Sequence, residues 1–213
     1  MKLNEIELTK KLKKGYVRWR EVFEQHGWHF LGSGIEATVG RHPSKPYAVK
    51  VFSRDTPYVD FVALVKKHQN NPHFPLFSRY VRPVPGTEFS YVRMELLKNI
   101  SEIKILQVPY LSQMAYLYLA SIRLGHEFHH TYSDIIGVKL RDMVTGSLFD
   151  PKHEQELWQQ IGEPDAAWKE AVDLVLARYA EGTKWPSRLD MHPGNFMLRG
   201  STLVITDPFV TRF

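Results

Sequence analysis

Hydrophobic periodicity changes character twice along the chain, and no other feature restricts the possible folds as tightly. Residues 28–97 hold short runs of β-prone side chains broken by Gly32, Gly34, Gly40 and Pro43, the pattern of paired strands joined by turns. Residues 98–188 instead repeat their apolar side chains every three to four positions, as amphipathic helices do. From Asn195 onward the chain returns to β character, with a turn at Gly200 and Ser201. Before all of this, Leu12, Tyr16, Trp19 and Phe23 mark a helix over residues 3–26 that braces the strands. The expected elements are a hairpin over 28–52 whose second half is a buried strand at 47–52, a helix at 57–69, strands at 79–84 and 89–96, helices at 110–126, 134–144 and 165–180, and strands at 195–199 and 202–206. In the helix at 57–69, Val59, Val62, Ala63 and Val65 are available to a core. The implied class is α+β, divided into residues 1–97, small and β-rich, and residues 98–213, mostly helical.

Composition narrows the chemistry. A chain of 213 residues with 43% hydrophobic and 24% charged side chains buries a sizeable core without staples. It has no cysteine, which excludes a disulfide framework, a thiol nucleophile and a thiolate zinc site, and which fits a reducing cytoplasm. No apolar run reaches the roughly 18 residues of a membrane helix, and the charged start with Lys2, Glu5 and Glu7 is unlike a signal peptide. A net charge of +5 favours anionic ligands such as nucleotides. The cluster Lys10, Lys11, Lys13 and Lys14 reads as a solvated helix face, so nucleic acid is not the expected main ligand.

Four segments carry chemistry, and their order matters more than any one of them. Gly32-Ser33-Gly34-Ile35-Glu36-Ala37-Thr38-Val39 lies between two expected strands, where residues without side chains let backbone N–H groups close over phosphates. An ordinary hairpin turn needing positive φ explains the same glycines. In Tyr47-Ala48-Val49-Lys50-Val51-Phe52 a lysine interrupts an apolar strand; a buried ammonium needs an anionic partner, and the phosphates of a nucleotide would supply one. In Arg188-Leu189-Asp190-Met191-His192-Pro193-Gly194-Asn195 an aspartate precedes an asparagine by five positions in a Pro-Gly loop. The carboxylate suits orientation and deprotonation of a hydroxyl, and the amide oxygen is a hard ligand for Mg²⁺. Asp207, twelve positions after Asn195, offers a second ligand for the metal.

Together these segments resemble the protein-kinase-like superfamily: glycine-rich loop, strand lysine, catalytic loop and metal-binding aspartate in the same order. The resemblance implies a two-lobed fold, with a β-rich lobe and a mostly helical lobe truncated after Asp207. It places Asp190, Lys50 and His192 in catalysis, and Gly32, Ser33, Gly34, Ala37, Val39, Lys50, Met94, Glu95 and Leu96 around ATP. Asn195 and Asp207 would hold Mg²⁺. The Asp-x-His-x-x-Asn form is similar to the aminoglycoside and choline kinase branch. Phe30-Leu31-Gly32-Ser33-Gly34, Asp190-Met191-His192 with Gly194-Asn195, and Ile205-Thr206-Asp207-Pro208 resemble the early serine/threonine protein kinase of short-tailed bacteriophages. That likeness implies host proteins as substrates, in the bacterial cytoplasm, during host takeover.

Departures leave other readings open. Ala37 stands where the third glycine is usual, and Pro208 and Phe209 where phenylalanine and glycine are usual. No glutamate lies between Lys50 and Glu88 to pair with the lysine, so Asp60 or Asp55 is the expected substitute. A small-molecule kinase, or a non-catalytic pseudokinase that binds host proteins, is compatible with these features. His126-Glu127-Phe128-His129-His130 matches the zinc-protease pattern, although no third ligand follows at the usual spacing and a polar helix C-terminus explains it as well.

Overall fold

The computed structural model describes residues 19–34, 36–100, 105, 107, 110–125, 141–144, 150–182, 187–190 and 193–211. The basic cluster at 10–14, the first part of the bracing helix, most of the helix expected at 134–144 and the histidine-rich segment 126–130 lie outside them.

Alternation along one strand organises the first half. The strand β3 (Tyr47–Ser53) lies between β2 (Ala37–Arg41) and β5 (Phe89–Glu95), in a five-stranded antiparallel sheet of order β1-β2-β3-β5-β4. Here β1 is His29–Ser33 and β4 is Arg82–Pro83. Side chains of a strand point alternately to opposite faces. Val49 and Val51 therefore join Trp19, Phe23 and Trp28 on one face, while Ala48 and Phe52 enter the main core on the other. Lys50 shares the inner face with Ala48 and Phe52, a position that only strand geometry fixes.

The helix α1 (Trp19–Gln25) closes the outer face. It approaches so closely that a Cβ on Gly40 would meet the Phe23 ring at 2.9 Å, so that glycine is required by packing. On the inner face lies α2 (Tyr58–Lys67), where Tyr58, Phe61, Val62, Leu64 and Val65 are buried. Ala63 is exposed, unlike the expectation, because the buried stripe is centred on the aromatic residues.

The second half packs α3 (Tyr110–Arg123), α4 (Pro151–Ile161) and α5 (Ala166–Ala180) against the hairpin of β8 (Phe196–Arg199) and β9 (Thr202–Ile205). The short strand β6 (Lys98–Asn99) extends that hairpin, and β7 (Ser187–Leu189) pairs with β10 (Phe209–Thr211). The arrangement is α+β: a β-rich first part, a helical second part, and a lysine strand facing the loops that follow β7 and β9. Helix α4 was not expected, although Asp150 as N-cap and Pro151 at the first turn announce it.

One core spans both halves. Phe61 of α2 meets Phe209 of β10 edge to face at 6.3 Å, and Asp60 forms an ion pair with Arg178 of α5 at 3.0 Å. Arg199 on β8 reaches back to Glu95, with Nε 2.8 Å from its Oε2, and donates to the carbonyls of Pro72 and Phe74 at 2.8 Å. Buried His73 lies between the halves, with Nδ1 2.6 Å from the Leu203 carbonyl and Nε2 3.1 Å from Asp165 Oδ1. Asp165 also caps α5 by accepting from Trp168 N at 2.8 Å.

Partial burial pushes the Asp165 carboxyl upward, but the bonds from Trp168 and His73 outweigh it and hold the group below its ordinary value of 3.8. A carboxyl depressed in the folded state contributes stability above its unfolded pKa and loses it as pH falls through the folded value. Urea unfolding of wild type and Asp165→Asn from about pH 5 down to about pH 3 is expected to show their stabilities converging, since asparagine caps a helix without titrating. Parallel curves would show that the carboxylate contributes nothing beyond the cap.

Candidate active site

Lys50 is held from both sides, opposite Val39 on β2 and Val92 on β5. Its side chain is 8% exposed, and Nζ donates to Asp207 Oδ2 at 2.5 Å. The same Nζ lies 3.7 Å from the centroid of the Tyr58 ring. Neither Asp55 nor Asp60 provides the carboxylate expected on this side. Asp55 is exposed and Asp60 is turned to Arg178, so the partner comes instead from the far end of the chain.

Backbone and side-chain bonds link the three polar loop residues. Thr206 donates to the Asn195 carbonyl from both N and Oγ1, at 2.9 and 2.8 Å. Asp190 N donates to the Pro208 carbonyl at 2.8 Å. Asn195 Nδ2 donates to the Asp190 carbonyl at 2.5 Å and to its Oδ2 at 3.0 Å. These bonds use the amide nitrogen and leave the amide oxygen of Asn195 for a cation. Burial pushes the Asp207 carboxyl above its ordinary value; the Lys50 ammonium opposes that shift, and the charges of Asp190 and Glu36 add to it. Burial, and secondarily the charge of Asp207, raise the Tyr58 phenol well above its ordinary value, so its ring stays neutral.

These groups face a cavity of about 660 Å³, within the range of small-ligand sites. Every candidate residue described by the structure lines it: Gly32, Ser33, Gly34, Ala37, Val39, Lys50, Met94, Glu95, Leu96, Asp190, Asn195 and Asp207. His192 lies outside the described residues. The Glu95 carboxylate is committed to Arg199 and to Leu76 N, and its own N–H donates to the Leu76 carbonyl, so that residue is held by the fold. Tyr58, Glu36, Arg188 and Thr206 also line the cavity and were not singled out in the sequence. Of these, Tyr58 left one signal, an aromatic residue opening the helix after the lysine strand. Glu36 ties the glycine-rich turn to β10 by accepting from Thr211 N at 2.8 Å.

The glycines of that turn are not required by the fold. Neither Gly32 nor Gly34 has positive φ, and a Cβ built on either meets nothing within 4 Å. An ordinary hairpin turn therefore does not account for them, whereas close approach of a ligand to the backbone does. Among the described residues no three His, Cys, Asp or Glu side chains converge on one metal position. The available donors, two carboxylates and one amide, suit a cation that shares its shell with ligand oxygens and water, as Mg²⁺ does.

No family model matches the chain, and no curated protein resembles it in sequence. Solved structures give a loose likeness. A streptomycin–ATP ternary complex of APH(2″)-IIa is 17% identical, over 90% of this chain and 72% of that one, with a TM-score of 0.31. A thermostable aminoglycoside phosphotransferase APH(4)-Ia, in ternary complex with AMP-PNP and hygromycin B, is 14% identical over 86% of this chain and 67% of that one, with a TM-score of 0.34. The apo form of a thermostable APH(4)-Ia mutant gives 14%, 89% and 71%, with a TM-score of 0.33. At that level nothing about substrate or chemistry transfers to this chain.

A double-mutant cycle tests the central pair. Lys50→Met strands the Asp207 carboxylate and Asp207→Asn strands the ammonium, whereas the double variant strands neither. The two single losses of stability are expected to exceed the double loss by a coupling of about 0.5–3 kcal/mol in urea unfolding. Additive losses would mean that the two charges are stabilised independently.

Proposed function

We propose that this chain is a Mg-ATP-dependent phosphotransferase. The observation that carries the proposal is the Lys50–Asp207 pair at the back of a 660 Å³ cavity roofed by glycines that the fold does not need. Residues 1–97 form the nucleotide-binding lobe of this reading, and residues 98–213 the helical lobe with the catalytic loop. Val39, Ala48, Met94, Leu96 and Met197 supply apolar walls for a base. Lys50 contacts the α- and β-phosphates, and the backbone of the turn at Gly32 to Gly34 covers them. Asn195 and Asp207 would hold Mg²⁺, which would supply neutralisation of the charge on the transferring phosphate.

Asp190 then acts on the acceptor. One of its oxygens accepts from Asn195, which fixes the carboxylate in place and leaves the other for an incoming hydroxyl. The hydroxyl oxygen bonds to the γ-phosphorus, the bond from that phosphorus to the β-bridging oxygen breaks, ADP leaves, and the hydroxyl proton passes to Asp190. The acceptor we propose is a serine or threonine of a host protein, in the bacterial cytoplasm during phage infection, as the sequence resemblance implies.

Mg-ATP is expected to raise the melting temperature; a ligand that binds only the folded state at a hundredfold excess over Kd stabilises it by about 2.7 kcal/mol. Lys50→Ala and Asp207→Asn are expected to weaken that shift. Asp190→Ala is expected to keep it and to lose transfer from labelled ATP to bacterial lysate proteins by about 10²- to 10⁴-fold. No shift at millimolar Mg-ATP would overturn the nucleotide site. Binding without transfer would leave a pseudokinase, and label passing to an added aminoglycoside would redirect the acceptor class.

A further inference from the structure

The lysine of this site has no glutamate on the helix beside it, yet its ammonium is held on that side. We infer that the face of the Tyr58 ring takes the glutamate's place, as a positioning residue that keeps Lys50 aimed at the phosphates through a cation–π contact. The inference rests on the phosphotransferase reading above and adds a residue that the sequence did not reveal.

The geometry is specific. Lys50 Nζ stands 3.7 Å from the ring centroid, well inside the roughly 6 Å at which an ammonium is attracted to an aromatic face. The ring is 2% exposed, and the attraction strengthens where water is excluded. Three aromatic neighbours hold it: Phe52 at 4.9 Å, Phe61 at 5.8 Å and Phe77 at 6.4 Å between centroids. The platform is thus rigid before any ligand arrives. Among the described residues the buried Tyr58 hydroxyl has no hydrogen-bond partner, and the contact that Tyr58 makes with Lys50 is through the ring face.

The arrangement also answers a chemical difficulty. Asp207 is the one carboxylate among the described residues within ion-pair distance of Lys50, and it is also a proposed metal ligand. A carboxylate that turns to a cation gives up part of its hold on the ammonium. A ring cannot be taken by a metal, so Lys50 keeps one fixed neighbour in every state of the site. A glutamate in the same place would add a further negative charge beside Asp207, whose carboxyl the charges of Asp190 and Glu36 already push upward.

Two measurements test this. The first needs no ligand: in protein labelled with [¹³Cε]lysine, the Lys50 ε-methylene signal, assigned by its loss in Lys50→Met, is expected to be shifted upfield by the ring current. It should stay there in Tyr58→Phe and return to the ordinary lysine position in Tyr58→Leu. An unshifted signal in wild type would overturn the contact. The second replaces Tyr58 by phenylalanine, 4-cyanophenylalanine and pentafluorophenylalanine, which keep a ring in place while progressively withdrawing its electrons. Tyr58→Phe is expected to match wild type, and kcat/KM for ATP to fall by about three- to thirtyfold along the series, in proportion to the lost cation affinity of the ring. Equal kcat/KM across the series would reduce Tyr58 to a packing residue and overturn the inference. If wild type neither binds nor turns over Mg-ATP, the phosphotransferase reading falls and this role with it; a failure confined to the ring series leaves that reading standing.

Discussion

The ion pair between Lys50 and Asp207 joins two residues 157 positions apart, and the remaining geometry of the site depends on it. Bringing such distant groups together costs loop-closure entropy, which grows slowly with separation and must be offset by packing elsewhere. The offset comes from the single core that runs from Phe52 and Phe61 to Trp168, Phe196 and Phe209. Isolated, a lysine 8% exposed would cost several kcal/mol to bury; paired, it fixes the sheet relative to the loops after β7 and β9. Arg199 and His73 do the same work further out. Each ties the segment between α2 and β5 to strands of the second half, so the cavity is a consequence of how the halves are joined.

Rigidity is unevenly distributed around the cavity. Asp190, Asn195 and Thr206 are linked by backbone and side-chain hydrogen bonds, so each restrains the others. Preorganised dipoles and charges of this kind stabilise a charged transition state without reorganising during the reaction. The glycine-rich turn is different. Among the described residues its hydrogen bond to the second half is the acceptance by Glu36 from Thr211 N, and its glycines have open space around them. A fixed floor under a lightly tethered roof suits a ligand that must enter and leave while its reacting end is held still.

Much of this was legible in the sequence because it depends on local rules. An apolar run interrupted by one lysine placed Lys50 on a buried strand, and Gly200 with Ser201 marked the β8–β9 turn. Asp165 announced the start of α5. Asp190, Asn195 and Asp207 line one cavity, since short loops between paired strands leave few alternatives. What stayed hidden depends on which side chain reaches which neighbour across the fold. Asp60 read as a partner for Lys50, but Arg178 on a helix distant in sequence claims it. Ala63 read as core, but the helix turned its aromatic stripe inward. Tyr58 drew no reading from the sequence, and the 3.7 Å distance to the Lys50 ammonium is what distinguishes it from its neighbours. Helix α4 was readable from Asp150 and Pro151, yet it is mostly polar and Leu157 is its one buried residue, so few apolar positions marked it.

The electrostatics of the ligand-free site point in one direction. Asp190, Glu36 and Asp207 bring carboxylates close together, while Lys50 is the cation that sits among them in a buried position. Burial first, and after it the charges of Asp190 and Glu36, hold the Asp207 carboxyl above its ordinary value even with an ammonium at 2.5 Å. On the proposed function, a divalent cation would relieve that crowding of carboxylates, and the phosphates that accompany it would meet Lys50 and the N–H groups of the turn. Arg188, exposed at the cavity wall, adds a second positive group on the side of the catalytic loop. Negative charge at the floor and positive charge on the walls is the complement of a metal–polyphosphate pair, and neither a free anion nor a free cation would satisfy both.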